Sequence, residues 1–125
     1  MTNSVSPISF QGLKIKGIVS AGNIKKLGEF ANATENRGFI EDLEKLYNTD
    51  MVLNGELNEI SFSHKVYGDL DKYGAVKFAA KDFYSNVVTV MGNIKSAIKK
   101  AEREFNSVKK KMIILPEVVK LIVLI

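Results

Sequence analysis

The chain contains no cysteine, which excludes disulfide staples, thiolate zinc sites, iron–sulfur clusters and cysteine nucleophiles together. That fits a reducing compartment. His64 is the sole histidine, so an imidazole-centred metal or catalytic site would have one donor and would need partners from elsewhere in the chain. It shares a strand face with Ile60, Phe62 and Val66, where a packed, hydrogen-bonded histidine is the expected state. Met1 to Phe10 has no basic stretch followed by an apolar one; no secretory signal is read, and the expected location is cytoplasmic. No G-x-G-x-x-G or G-x-x-x-x-G-K-[ST] pattern follows a strand, which leaves nucleotide binding without support. The apolar tail from Ile113 to Ile125 covers 13 residues, against the ~20 needed to cross a bilayer.

What is present suffices for one core. The 125 residues are 46% apolar and 26% charged, a composition that belongs to a single globular domain and lies outside the regime of disorder. The net charge of +4 conceals an uneven distribution. Between Glu29 and Asp71 ten acids face three bases, whereas between Asn93 and Met112 seven bases face two acids. An acidic middle is followed by a basic end.

The pattern of the chain predicts an α+β fold. Residues 8–20 alternate apolar and polar side chains through Leu13, Lys14, Ile15 and Lys16, as a half-buried strand does, with a bend at Gly17. Two helices are expected over 22–47. The first begins near Gly22 with Ser20 or Asn23 as cap and ends near Asn32; the second runs from about Arg37 to Tyr47. A β-hairpin over 50–67 is centred on Asn54-Gly55, a pair suited to a two-residue type I′ turn. From Ala75 onward, Val76, Ala80, Phe83, Val87, Val90, Ile94, Ala97, Ala101, Phe105 and Val108 recur at steps of three and four. This spacing predicts one long amphipathic helix over 75–110, continuous, with Gly92-Asn93 as the place for a kink. Unbroken, it would extend ~54 Å, far beyond the ~14 Å radius of gyration of a globule this size. Residues 112–125 form a terminal apolar strand or tail, in which Pro116 is also placed to open a short helix.

Catalytic and metal chemistry find little footing. Glu41, Asp42 and Glu44 lie on the polar face of a helix, where they do not converge as an acid–base pair must. Asp69 and Asp71 occupy a short loop without the ligand spacing of an EF-hand. Tyr47, Tyr67, Tyr73, Tyr84, Phe78 and Phe83 are expected in the core rather than as base-stacking platforms. With no nucleophile, base and orienter in any arrangement, the expectation is a protein that is not an enzyme, with no cofactor, metal or small-molecule substrate.

Three functional readings remain. The leading one is a protein-interaction module, a homo-oligomer or a small adaptor or inhibitor, because the long stripe exceeds what one small domain covers. Its interface would draw on Val87, Val90, Ile94, Ile98, Phe105, Leu121 and Val123. The second is nucleic-acid binding through Lys95, Lys99, Lys100, Arg103, Lys109, Lys110 and Lys111, of which Lys95, Lys99 and Arg103 form a ridge at steps of four. The third, ranked last, is peripheral membrane attachment of the tail beside that lysine run.

Overall fold

The computed structural model describes residues 12–114, with side chains through Lys109. The element order is β1 (Leu13–Lys16), α1 (Ala21–Asn32), α2 (Thr34–Lys45), β2 (Thr49–Asn54), β3 (Glu59–His64), β4 (Gly68–Asp69), a 3-10 turn (Leu70–Tyr73), β5 (Lys77–Ala79), α3 (Ala80–Ser85) and α4 (Val87–Ile114). The fold is α+β, as the patterning implies: a small mixed sheet containing a hairpin, packed by helices, with one long C-terminal helix.

In the sheet, β1 runs parallel to β2 and β2 antiparallel to β3. The far edge of β3 is shared by β5, opposite Glu59–Ser61, and β4, opposite Ser63 and His64. Alternation decides which face is covered. Met51, Leu53, Ile60, Phe62 and His64 are buried, and the rings of β3 touch all three overlying helices on that side: Phe62 meets Phe39 of α2 and Phe83 of α3, and His64 meets Phe105 of α4. The opposite face is polar and carries the cross-strand ion pairs Lys14–Asp50 (3.2 Å) and Lys77–Asp69 (2.9 Å).

Several boundaries differ from the sequence reading, each for a local reason. The strand expected over 8–20 is confined to Leu13–Lys16 among the described residues, because Gly12 and Gly17 turn the chain at φ +80° and +74°. A Cβ at Gly12 would also lie 2.8 Å from that of Leu43. The second helix starts at Thr34 rather than Arg37. Asn36 Nδ2 donates to the Phe30 carbonyl (3.1 Å) and Arg37 Nη2 to that of Asn32 (3.3 Å), so the first turns of α2 satisfy the open end of α1 and no longer link is required.

The hairpin reversal begins at Asn54-Gly55 but takes four residues, since Asn54 pairs with Glu59. Gly55 has no positive φ; its hydrogen is needed because a Cβ would run into the Ile18 carbonyl. The left-handed residue is Asn58 (φ 51°), and Asn54 Oδ1 accepts the N–H groups of Glu56 and Leu57. Strand β3 stops at His64, which leaves Val66 61% exposed instead of on the buried face.

The largest difference concerns 75–110. The long helix begins at Val87; before it, Lys77–Ala79 form β5 and Ala80–Ser85 form α3. The break falls at Asn86 (φ −130°, ψ 31°), whose side-chain amide donates to the Asp82 carbonyl (3.0 Å). Gly92 lies inside α4. Residues Met112–Ile114 belong to α4, and 115–125, where a strand or short helix was expected, lie outside the described residues.

Candidate binding groove

One flank of α4 is sealed. His64 is 1% exposed, and its Nδ1 accepts the backbone N–H groups of Val66 (3.0 Å) and Tyr67 (3.3 Å). An Nδ1 that accepts is unprotonated, so the hydrogen sits on Nε2, directed at Glu102 Oε1 3.3 Å away. Asn48 Nδ2 donates to the same oxygen (3.0 Å). Tyr67 and Phe105 enclose the imidazole at 5.0 and 5.2 Å, and the Tyr73 hydroxyl donates to Glu104 (2.7 Å). Burial, and then that bond to Glu104, pushes the Tyr73 phenol up to about 12. His64 is therefore committed to structure, as its strand position implies.

The other flank of α4 is open. A cavity of about 820 Å³ lies between the α1–α2 corner and the α3–α4 corner, and it continues as a crevice of about 310 Å³ between α2 and α4. Glu35, Phe39 and Lys95 line both parts. Its apolar lining comes from Phe30, Phe39, Val87, Val88 and Met91, and its charges are Glu29 and Glu35 on one side with Lys26 and Lys95. The volume falls in the ~300–1,000 Å³ range of sites that bury a ligand. Tyr84 also lines it, and its hydroxyl is buried with no hydrogen-bond partner among the described residues. Burial pushes this phenol up to about 12. A phenol that stays protonated, buried without an acceptor among the described residues, leaves one donor unsatisfied behind the cavity wall.

The expected interface residues divide. Ile94 and Ile98 are 0% and 1% exposed inside the subunit core, which withdraws them from any outer surface. The cause is the break at Asn86, which lets α4 turn back over the sheet. Val87 and Val90 pack at the edge of that core, and Phe105 caps His64. Leu121 and Val123 lie outside the described residues.

Lys95, Lys99, Lys100 and Arg103 are all exposed. Lys95 borders the cavity and Lys99 the crevice, Lys100 donates to the Tyr73 carbonyl (3.4 Å), and Lys109 stands over the Phe105 ring at 5.2 Å. The side chains of Lys110 and Lys111 lie outside the described set.

The two loop carboxylates are engaged in the fold. Asp69 Oδ1 accepts the Asp71 N–H (2.9 Å) while Asp71 Oδ1 accepts that of Val76 (3.0 Å). Burial alone would raise the Asp69 carboxyl, but the Lys77 ammonium and the Asp71 N–H outweigh it and hold the group below its ordinary value. Among the described residues, no three of His, Cys, Asp and Glu gather as a metal site, and no helix is long and apolar enough to cross a membrane.

The groove itself is not visible in the sequence, which places Tyr84 in the core. The one available signal was Asn86 before a run of valines, a residue that favours helix ends over helix interiors. No family model, curated protein or solved structure matches this chain, which leaves the geometry of its own residues as the guide to function.

Proposed function

We propose that the protein is a non-enzymatic interaction module that self-associates through the far end of α4 and the apolar sequence that follows. One observation carries this. After Phe105, whose ring packs on His64 and Tyr67, α4 continues to Ile114, and Asn106 through Lys109 are all exposed. Those nine further residues add roughly 13 Å of helix at ~1.5 Å per residue. They end in Met112-Ile113-Ile114 and are followed by Leu115–Ile125, in which the only charged residues are Glu117 and Lys120. Most helical stability in water comes from packing an apolar face, and a second copy supplies the missing surface. With Ile94 and Ile98 already buried, the interface moves from the middle of the helix to its end.

Light scattering coupled to size exclusion tests the proposal. The full chain is expected to be a dimer or larger, and a chain ending at Lys111 a monomer. Monomers in both cases would overturn it.

A second reading has its own support. Lys95, Lys99, Lys100 and Arg103 are exposed, and none takes part in the four ion pairs found among the described residues. Such a flank suits phosphate contacts, whose affinity falls steeply with salt. Replacing Lys99, Lys100 and Arg103 by glutamate would then abolish nucleic-acid retardation at low salt; no retardation by the unaltered protein would end this reading.

A further inference from the structure

We infer that the groove between α2 and α4 is the receptor for residues 115–125 of a second copy of the chain. The inference rests on the self-association proposed above and adds where the tail goes. The groove offers what an apolar segment needs: a lining of Phe30, Phe39, Val87 and Met91, with Val88 standing 92% exposed at its edge. A solvent-facing valine beside an open apolar cavity gains from any segment that covers both.

Reach decides which copy supplies the tail. Ile114 lies 19 residues beyond Lys95 on one helix, a separation of roughly 28 Å at ~1.5 Å per residue, and Val87 is farther still. Val88 lies 26 residues before Ile114, roughly 39 Å along the helix, whereas residues 115–123, fully extended, span at most ~32 Å. Val123 of the same molecule therefore falls short of Val88 at the far end of the groove. A second molecule approaching from the α1–α2 side has no such limit.

Two further features match this occupant. The tail's charges, Glu117 and Lys120, are of opposite sign, as are the groove's Lys26 and Lys95 against Glu29 and Glu35. The Tyr84 ring lines the same cavity and its buried hydroxyl has no partner among the described residues, so an entering chain, with a carbonyl oxygen at every residue, brings acceptors to the side of the groove where a donor is left open.

The absence of native cysteine makes the test direct. Two single-cysteine proteins, V88C and V123C, are mixed at full length and oxidised gently, with S61C, on the polar sheet face, replacing V88C as the control. Val88 is exposed and Ser61 half-buried on an open face, so both variants are expected to fold. Docking raises the effective concentration of the paired thiols, and about tenfold more V88C–V123C than S61C–V123C heterodimer is expected. Equal yields in a protein that light scattering finds associated would overturn the groove assignment while leaving self-association standing. A monomer would overturn both. An efficient cross-link within one molecule of a V88C/V123C double variant would overturn the reach argument.

Discussion

The two flanks of α4 are built from similar residues and finished differently. Toward the 3-10 turn, tyrosines, a histidine and two glutamates leave each other little unpaired: His64, Glu102 and Asn48 form one network, and Tyr73 bonds Glu104. Toward α2, aromatic rings line a cavity and the Tyr84 hydroxyl has no partner among the described residues. A buried polar group that is satisfied rigidifies a structure, whereas one left open costs free energy until an acceptor reaches it. The contrast separates a flank closed within the subunit from one left open among the described residues.

The strongest way to break the comparison is at the floor common to both flanks. Phe83 contacts Phe30, Phe62, Phe78 and Tyr84, and Phe83→Ala is expected to cost about 3–5 kcal/mol in urea unfolding. A loss below 1 kcal/mol would mean that the core closes over the hole. On the sealed flank, His64→Ala leaves Glu102 with Asn48 alone and strands two backbone N–H groups, with an expected cost of about 2–3 kcal/mol. A companion measurement, the nitrogen shifts of His64 by NMR, should report the neutral Nε2–H form; the Nδ1–H form would remove the basis for this network.

Alkaline pH sharpens the contrast further. Tyr73 and Tyr84 are both held at about 12, against 10.0 for an unperturbed phenol. Since the unfolded chain gives up these protons first, stability is at its full value below pH 10 and falls as pH rises from 10 to about 12. Urea midpoints should fall across that window, and Tyr73→Phe should flatten the fall; an unchanged slope would count against it. The smallest effect belongs to the open flank. Tyr84→Phe removes an unpaired hydroxyl, so the isolated subunit should gain up to about 1 kcal/mol, whereas a loss would reveal an acceptor already in place.

Much of the fold was legible because it is local. The alternation of β3, the helical stripes of α1 and α2, and the hairpin between β2 and β3 depend on neighbours in sequence. The stretch from Val76 to Phe83 was misread for a definite reason: its apolar spacing stays in phase with α4, so a strand plus a short helix mimics one continuous helix. What separates them is the pairing of Phe78 with Ile60 and of Lys77 with Ser61, contacts between positions far apart in sequence. The groove was illegible on the same grounds, since it is a gap between α2 and α4, and a gap leaves no residue pattern.

The parallel pairing of β1 with β2 also imposes an order of assembly. Its two strands are joined only through α1 and α2, while β2 and β3 are joined by a four-residue loop. Closing a long loop costs more chain entropy than closing a short one, so the hairpin can form from its own contacts while β1 must wait for both helices to dock. Pulse-labelled amide exchange during refolding should find Met51 to Phe62 protected before Leu13 to Lys16, which makes the N-terminal edge the last part of the sheet to close and the first to open.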